Sequence, residues 1–310
     1  MINYITRKIV SNKGNNFYYK YYDKNNKIIS SKKAKSIISN LYIPPAYDNV
    51  KININSKSKI LAIGEDNKGR KQYIYHKNTI KNNSKDKFQK LINYGKIYPK
   101  IISKINKDSK QNENIKLKHI ATIIKIIIDC NFRIGNKIYE KQNKSYGVTT
   151  LKKRHLTINK KRITIDFIGK KNIRNKCELT NKYIIDNLIN FQKNKRNNSN
   201  IFSFKTDGSI KNVSSKDIND YLQNFGNYTS RNMRTWNANI ILIKKLANNY
   251  SLKNSIDYVS KKLHNTPSVC KSNYLDPKLI KFYEENPSHF INMFKNNHRN
   301  KYIAFLKKNY

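Results

Sequence analysis

The sequence FRIGNKIYEKQNKSYGVTTLKKRH, residues 132–155, lies where the pattern of the chain changes from helix to strand. It follows the apolar run IATIIKIIIDC at 120–130, which Lys125 interrupts and which is far shorter than the roughly 20 residues of a membrane span. That run therefore predicts a buried helix. Arg133 stands where this helix should end, two residues before Gly135, so a cation is expected at the point where the chain leaves a buried element.

Short strands are predicted on the C-terminal side of this helix. β-Branched residues favour strands at 146–158 and 161–169, and residues 174–180 form a candidate third strand. This pairing puts the segment GKKN, residues 169–172, at the tip of a hairpin. From Asn181 onward the spacing of apolar residues predicts mainly helices.

The N-terminal part of the chain is rich in β-strand patterns. Four runs of β-branched and aromatic residues are separated by turn signals, and a short helix between them is stopped by proline. Helical spacing begins near Asn82, so we expect a small domain at 1–82 and a larger one at 83–310. The fold class is then α+β, with a β-rich N-terminal domain and a mainly α-helical second domain that contains a small β-sheet. The four runs are NNFYYKYY (15–22), VKININ (50–55), KILAIGED (59–66) and RKQYIYH (70–76).

The charge of the chain points to a polyanionic partner. Lys and Arg total 64 against 19 Asp and Glu, which gives a formal net charge of +45. The lysines run from Lys8 to Lys308, so this charge belongs to the folded body rather than to a tail. Nucleic acid is the expected partner because neutralising phosphates releases counterions. We expect no membrane association, since we find no amphipathic anchor, lipidation signal or signal peptide.

Motifs for nucleotide or metal cofactors are missing from the sequence. It has neither a GxxxxGK[ST] loop nor a GxGxxG loop, its histidines are isolated from plausible co-ligands, and its carboxylates are too few for a two-metal site. We therefore expect no nucleotide cofactor and no metal, so that Arg and Lys would have to replace the metal in a phosphoryl transfer. Cys130, Cys177 and Cys270 are scattered and odd in number, which favours reduced thiols over a disulfide framework.

Five side chains are candidates for such a site. Each has an ordinary interpretation by itself, because a lone arginine usually contacts a phosphate or solvent and a lysine in a hairpin tip is usually solvated. A tyrosine before Leu-Asp-Pro usually packs at the start of a helix. The five candidates, which gain weight only together, are Arg133, Lys170, Arg234, Asn265 and Tyr274.

Four motifs, in this order, resemble the type IB DNA topoisomerases, specifically the small poxvirus-like and bacterial members. They are RIGNxxY-(x)6-YGVTTLxxxH, FIGKK, MRTWNA and NTPSVCKxxYLDP, and the resemblance covers about residues 70–280. It implies an N-terminal DNA-binding domain and a catalytic domain with the fold shared by tyrosine recombinases and these topoisomerases. It also implies a monomer that clamps duplex DNA and relaxes positive and negative supercoils without ATP or metal.

The resemblance further implies a role for each candidate. Tyr274 would attack a backbone phosphorus and form a 3′-phosphotyrosyl link, and Lys170 would protonate the departing 5′-oxygen. The non-bridging oxygens would be bound by Arg133, Arg234 and Asn265. The chemistry suits these residue types, since a phenol with a pKa near ~10 is both a nucleophile and a good leaving group.

Two positions depart from the family pattern or leave it ambiguous. Many relatives carry histidine at the place of Asn265, and an asparagine donates a hydrogen bond but has no charge. His264 is its neighbour, and whether it contributes stays open. Lys171 follows Lys170 directly, so a shift of one residue in the turn would exchange them.

Two other classes of protein also remain open. Tyrosine recombinases usually carry histidine three residues before the second arginine, where this chain has Arg231, and they tend to have a helical N-terminal domain. A non-catalytic architectural DNA binder would use the charge alone and would not need the five candidates at family spacing.

Further DNA contacts are expected outside the reacting groups. In the strand RKQYIY, Tyr73 and Tyr75 share a face and Gln72 lies on the other, a mixture suited to bases and phosphates, although an ordinary half-buried strand has the same pattern. We also expect Tyr139 and Lys271 to contact the DNA backbone. Composition and resemblance favour an intracellular, DNA-associated protein of a large DNA virus, in the virion or at the site of viral replication.

Overall fold

The computed structural model describes residues 3–13, 16–39, 41–67, 69–159 and 161–310. The chain folds into two compact units, Met1–Lys87 and Phe88–Tyr310. The boundary that we expect between residues 82 and 83 falls inside a long helix, Lys77–Lys110, through which the chain passes from one unit to the next.

The first unit is a five-stranded antiparallel sheet with one short helix. Ile5, Val50, Ile52 and Ala62 form its buried core. Its elements are β1 (Tyr4–Lys13), β2 (Asn16–Tyr22), α1 (Ser31–Ile38), β3 (Asp48–Asn53), β4 (Ile60–Glu65) and β5 (Lys71–Tyr75), with the strand order β2-β1-β3-β4-β5.

The four predicted strands and the helix of this unit are confirmed, with Asn15 of the first run outside the described residues. The sequence pattern does not predict β1, because Arg7 occupies one of its inward positions. The Arg7 guanidinium is buried and donates to the carbonyls of Ile43, Pro44 and Tyr47 at 3.2, 3.0 and 2.8 Å. An inward arginine that is satisfied by backbone carbonyls has no apolar signature in the sequence.

The second unit is mainly helical and contains two small sheets, which confirms the α+β class. Its three-stranded antiparallel sheet has the order β6-β7-β8, and its two-stranded sheet is β9-β10. The helices are α2 (Lys77–Lys110), α3 (Ile115–Cys130), α4 (Lys137–Asn143), α5 (Lys182–Gln192), α6 (Ser215–Gln223), α7 (Ser230–Ala247), α8 (Leu252–Lys262), α9 (Pro267–Asn273), α10 (Pro277–Glu285), α11 (Pro287–Phe294) and α12 (His298–Asn309). The strands are β6 (Leu156–Asn159), β7 (Arg162–Ile168), β8 (Arg174–Leu179), β9 (Ser203–Thr206) and β10 (Ser209–Asn212).

Helix α3 is the central buried element of the second unit, as its apolar run predicts. Asn114 caps its N-terminus, where the side chain accepts a hydrogen bond from the backbone N–H of Leu117, and Asn131 follows its last residue in the left-handed region at φ 53°. Its isoleucines at 123, 124, 126 and 127 are fully buried. The chain therefore leaves the core abruptly just before Arg133. No helix in the described part of the chain has the length and apolarity needed to cross a membrane.

One prediction for the middle of the chain is wrong, and one element there is not predicted. Residues 146–155 are not a strand but two short 3-10 turns, at 148–150 and 153–155, and only β6 remains of the predicted strand. β-Branched residues at 148–150 are buried beside the end of α3 instead of pairing in a sheet, so tertiary packing overrides their strand propensity. The sequence pattern also does not predict the hairpin β9-β10 in the region expected to be helical.

The cysteines also differ from expectation, because Cys130 and Cys177 form a disulfide with 5.6 Å between their α-carbons. Cys130 is the last residue of α3, and Cys177 lies on β8, so residues 47 apart in sequence meet in the fold. Spacing rules that look for neighbouring cysteines do not detect such a pair. Cys270 is a free, buried thiol, and burial raises its pKa to about 12.

Candidate active site

Arg234 lies in the second turn of α7 and is almost fully buried, with 4% of its surface exposed. Its Nη1 donates to the Tyr274 hydroxyl at 2.9 Å, its Nε to the Asn131 carbonyl at 3.0 Å and its Nη2 to the Leu263 carbonyl at 2.9 Å. Three of the five N–H donors of a guanidinium thus have partners among the described residues, and two are left for a ligand.

The start of α7 differs from expectation. The apolar run IILIKKLA, residues 240–247, predicts a helix that begins after Arg234, but the helix begins four residues before Arg234, at Ser230. The Asn232 side chain accepts hydrogen bonds from the backbone N–H and hydroxyl of Thr229 at 2.9 and 3.0 Å, which stabilises this earlier start. The guanidinium of Arg234 consequently projects from a rigid helix rather than from a loop.

Burial is the main cause of the shift in the pKa of this arginine. It lowers the pKa of Arg234 to about 10, although the neighbouring Tyr274 opposes the change. The guanidinium is still a cation at neutral pH. A buried cation with free donors is suited to a phosphate, because water does not screen its field.

Tyr274 lies at the junction of two short helices. It follows the last residue of α9, and α10 begins three residues later at Pro277, as the Leu-Asp-Pro sequence predicts. Only 8% of the residue is exposed, and its ring centre is 4.9 Å from the Cζ atom of Arg234. Both the hydroxyl and the ring of Tyr274 therefore contact the guanidinium of Arg234.

Arg133 and Asn265 form a second pair. The Nη2 group of Arg133 donates to Oδ1 of Asn265, and its Nη1 group donates to the carbonyl of His264 at 3.3 Å. The Nδ2 group of Asn265 is buried and has no hydrogen-bond partner among the described residues. Because Arg133 occupies the amide oxygen, the amide N–H donors stay available.

Three consecutive residues hold both arginines. The Leu263 carbonyl accepts from Arg234, whereas the His264 carbonyl and the Asn265 side chain accept from Arg133. The two guanidinium groups are therefore neighbours, and the charge of Arg133 contributes to the lowered pKa of Arg234. The fold thus brings together Arg133, Arg234, Asn265 and Tyr274 from three distant parts of the sequence, since Asn265 and Tyr274 belong to one short segment.

Two glycines explain the RIGN and YGVTT motifs. A Cβ atom on Gly147 would lie 2.4 Å from the backbone nitrogen of Gly135, so the two segments could not approach with a side chain there. Gly135 also adopts a φ of 93°, which other residues rarely adopt. The N–H of Val148 then donates to the Arg133 carbonyl at 3.0 Å, and the N–H of Thr149 donates to the Ile134 carbonyl at 2.8 Å. These contacts fix the backbone that carries Arg133.

The imidazole of His264 binds the end of α3. Its Nε2 bonds with the Cys130 carbonyl at 3.1 Å, and its ring centre is 4.9 Å from that of Phe132. Burial lowers the pKa of His264 to about 4, so the ring is neutral at pH 7. The ring supports the end of α3, and its carbonyl rather than its imidazole serves Arg133.

Lys170 lies at the tip of the hairpin formed by β7 and β8, where it was predicted. Lys171 and Asn172 both adopt left-handed conformations, at φ 62° and 58°, which makes the turn tight. Lys170 and Lys171 are both exposed. In the described part of the chain, no hydrogen bond joins Lys170 to the other four candidates.

The side chains expected to contact DNA differ in their exposure and in their local contacts. Tyr73 and Tyr75 are 45% and 40% exposed on β5, and their rings stack with centres 6.2 Å apart. Gln72 is partly buried and donates to Asp66 at 3.0 Å. In the second unit, Tyr139 is exposed on α4 and Lys271 is exposed on α9.

Sequence reasoning missed the backbone acceptors of the site. The carbonyls of Asn131, Leu263 and His264 hold the two arginines, and a backbone carbonyl leaves no trace in residue identity. It also missed Asn239, whose side chain binds the Tyr274 carbonyl at 2.9 Å. Within the described ranges, no three His, Cys, Asp or Glu side chains come together in a way that could hold a metal ion.

Comparison with known proteins identifies the family. A family model described as eukaryotic DNA topoisomerase I, catalytic core, matches residues 71–277, and one described as bacterial DNA topoisomerase IB, N-terminal domain, matches residues 18–66. The DNA topoisomerase 1B of Acanthamoeba polyphaga mimivirus is 32% identical over 298 residues, which cover 90% of this chain and 88% of that protein. The chain belongs to the type IB DNA topoisomerase family. The resemblance drawn from the four motifs is confirmed, and this type IB topoisomerase is a DNA-binding isomerase.

More distant relatives match less of the chain or at lower identity. The DNA topoisomerase I of Monkeypox virus is 29% identical over 113 residues, 36% of each chain. The DNA topoisomerase 1 of Rabbit fibroma virus is 24% identical over 268 residues, 81% of this chain and 80% of that protein. Among solved structures, XerH site-specific recombinase bound to palindromic difH in the post-cleavage state aligns with a TM-score of 0.39 and 14% identity, over 72% of this chain and 59% of that chain.

Proposed function

We propose that this type IB topoisomerase relaxes positive and negative supercoils by cutting and resealing one DNA strand, with Tyr274 as the nucleophile. The observation that carries the proposal is the hydrogen bond of 2.9 Å between the Tyr274 hydroxyl and the buried guanidinium of Arg234. A phenol held against a cation with free donors is suited to attack on a phosphate, because the same group that holds the nucleophile can bind the oxygens that become more negative.

The bond changes balance without an external reactant. The phenolic oxygen of Tyr274 bonds to phosphorus while the bond from phosphorus to the 5′-oxygen breaks, which leaves a 3′-phosphotyrosyl link and a 5′-hydroxyl. Lys170 donates a proton to the 5′-oxygen, and the phenolic proton passes to solvent. One phosphodiester replaces another, so the reverse reaction reseals the strand without ATP.

The charge that develops on the non-bridging oxygens is matched by fixed donors. Arg133 and Arg234 supply N–H groups in fork geometry, and the unpartnered Nδ2 of Asn265 supplies a neutral donor. Side-chain cations thereby take the part that a divalent metal has in many phosphoryl transfers. We accordingly propose that the reaction needs neither metal nor nucleotide.

Lys170 has to reach the phosphate from the hairpin tip. Its exposure and the long side chain of lysine make it available for a ligand that packs against the turn. We favour Lys170 over Lys171 as the general acid because Lys170 directly follows Gly169, as in the family motif. Tyr73, Tyr75, Gln72, Tyr139 and Lys271 are proposed as DNA contacts outside the reacting groups.

The partner is DNA, and we propose that one monomer closes as a clamp around a duplex. The net charge of +45 supports binding through many phosphates. Affinity should then fall steeply with salt, with a slope near −0.9 for each phosphate neutralised. Since the relatives named above are viral proteins, we further propose that the enzyme acts in the virion or at the site of viral replication.

Plasmid relaxation tests the proposal. The parent protein should relax plasmids of both supercoil signs in EDTA without ATP, and Tyr274→Phe should abolish relaxation while it leaves DNA binding intact. Tyr283→Phe, on α10, is a matched control that removes a phenol outside the site and should stay active. Mass spectrometry of the adduct on a nicked suicide substrate should find a 3′-phosphate on Tyr274, and an adduct on another side chain would overturn the assignment.

The same substrates separate the alternatives. A recombinase would exchange strands between two duplexes at a specific site, whereas a non-catalytic DNA binder would shift the DNA but form no adduct. Relaxation of both supercoil signs without strand exchange is the expected result.

A further inference from the structure

We propose that Asp276 is a positioning residue for the nucleophile, held in place by the phenols of Tyr302 and Tyr310. The inference rests on the proposed function, because it assigns a set of residues to the alignment of Tyr274. These residues lie outside the group that contacts the phosphate.

The carboxylate of Asp276 is buried and has many partners. The residue is 0% exposed, and its Oδ1 accepts from the backbone N–H of Lys278 at 3.0 Å and of Leu279 at 3.4 Å. These two bonds cap α10 in the usual way. Oδ1 also accepts from the Tyr310 hydroxyl at 2.7 Å, and Oδ2 accepts from the Tyr302 hydroxyl at 3.3 Å.

A cap alone does not require this arrangement. Aspartate caps usually lie at the surface, where water solvates the carboxylate, whereas burial of a carboxylate costs free energy. Burial raises the pKa of Asp276, and the hydrogen bonds from Tyr310, the backbone and Tyr302 oppose that change. The two phenols are additional to the two N–H groups that a cap needs, which suggests a second purpose for the carboxylate.

The backbone next to this carboxylate is tied to the nucleophile through Asn239. The Nδ2 group of Asn239 donates to the Tyr274 carbonyl at 2.9 Å, and its Oδ1 accepts from the backbone N–H of Asp276 at 2.8 Å. Asn239 is fully buried on α7, one and a half turns from Arg234. One helix therefore holds the hydroxyl of Tyr274 through Arg234 and the backbone on both sides of Leu275 through Asn239.

Helix α12 supplies the other side of this support. The Tyr302 ring is fully buried, 5.5 Å from the Trp236 ring of α7, and the Tyr310 ring lies 5.3 Å from Phe88. Burial raises the pKa of both phenols, so each stays protonated and donates. Asp276 is thus fixed from α12 while its own N–H is fixed from α7, and Tyr274 lies two residues away between these supports.

The expected consequence is kinetic. A displacement of about 1 Å at a reacting group can reduce a rate roughly 100-fold. Loss of one phenol should therefore slow strand cleavage and resealing by roughly 10- to 100-fold together. Both directions pass through one transition state, so the ratio of the two rates should stay unchanged. DNA affinity should also stay unchanged, because neither phenol belongs to the proposed DNA-binding set.

Tyr310→Phe tests this inference because it removes one hydroxyl and keeps the ring. Asn286→Ala is the control for loss of a helix cap, since it removes the side chain that caps the neighbouring helix α11, where Oδ1 accepts from the backbone N–H of His289 at 3.1 Å. Single-turnover cleavage of a suicide substrate should be slow at full amplitude for Tyr310→Phe and unchanged in rate for Asn286→Ala. Asp276→Asn, which keeps the size of the side chain and the cap, should be slow in the same way.

The outcomes are distinguishable. A purely structural role for Tyr310 would lower the amplitude, which counts active molecules, and leave the rate constant of cleavage at the parent value. That result, or a parent rate at full amplitude, would overturn the positioning role and leave the proposed function intact. Absence of any adduct with the parent protein would instead overturn the proposed function.

Discussion

Replacement of Asn265 by aspartate distinguishes the role of its amide oxygen, an acceptor, from that of its amide nitrogen, a donor. Oδ1 accepts from Arg133, whereas Nδ2 is buried without a partner among the described residues. Aspartate keeps the acceptor and strengthens the pairing with Arg133, but it removes the N–H donors. The substitution should therefore keep the fold stable while it removes the donor that we assign to the phosphate and adds a negative charge beside it.

The expected magnitude follows from that single lost donor. Removal of one preorganised donor from such a site costs about 2.7–4 kcal/mol, which lowers a rate by ~10²–10³-fold. A carboxylate about 5 Å from a phosphate oxygen adds repulsion of about 3 kcal/mol at an effective dielectric constant of ~20. Asn265→Asp should thus slow cleavage by at least ~10²-fold. Asn265→His restores a donor and should stay within roughly ten-fold of the parent rate, that is, within about 1.4 kcal/mol.

The assay is single-turnover cleavage of a suicide substrate at saturating protein, with thermal unfolding of each variant as the control for folding. We expect the aspartate variant to unfold no earlier than the parent and to cleave far more slowly. Cleavage by Asn265→Asp within three-fold of the parent rate would refute the assignment of Nδ2 to the phosphate.

Three further outcomes are expected. Lys170→Ala should slow cleavage by ~10²–10⁴-fold, and its rate should recover on a substrate with a sulfur leaving group, which needs no acid. Lys171→Ala should cleave near the parent rate. The reverse pattern would assign the role of general acid to Lys171 instead of Lys170. Reduction of the Cys130–Cys177 disulfide should lower the free energy of unfolding by about 4 kcal/mol for a separation of 47 residues, as measured by urea unfolding with and without dithiothreitol, and Cys177→Ser should lose the response to the reductant. Burial lowers the pKa of His119 to about 3, below the ~6.5 of an unfolded chain. The contribution of His119 to the free energy of unfolding is therefore complete above pH 6.5 and is lost as the pH falls toward 3. The free energy of unfolding, measured with urea, should be about 2 kcal/mol lower at pH 5 than at pH 7 because of this residue. In His119→Leu, the free energy of unfolding should depend less on pH.

Local patterns predict those elements whose residues act on near neighbours. The apolar run of α3 predicts a buried helix because most of its residues from 119 onward are buried, and runs of β-branched and aromatic residues predict β3, β4 and β5. The same reasoning fails where tertiary contacts decide the outcome. Arg7 at an inward position removes the apolar pattern that would predict β1. The close approach of Gly147 to Gly135 holds the start of residues 146–155 beside the end of α3 instead of in the sheet.

The candidate site was predictable only through its motifs. Arg133 and Asn265 are 132 residues apart, and no rule of spacing brings them into contact. The motif resemblance names these residues, but it does not predict the backbone carbonyls that orient the arginines. Nor does it reveal the phenol of Tyr310, which lies 34 residues from Asp276 and shares no local pattern with it.

The segment 263–265 joins the two arginines of the candidate site to one short piece of backbone. Since consecutive groups hold Arg133 and Arg234, a shift of this segment by a few ångströms would break bonds to both arginines at once, while Arg234 would keep its bond to the Asn131 carbonyl. On the proposed mechanism, such a displacement would impair both arginines together rather than one at a time. A population in which the segment is displaced in half of the molecules would show half the burst of adduct at full speed, and a bound duplex that stabilises the segment would switch on both arginines in a single event.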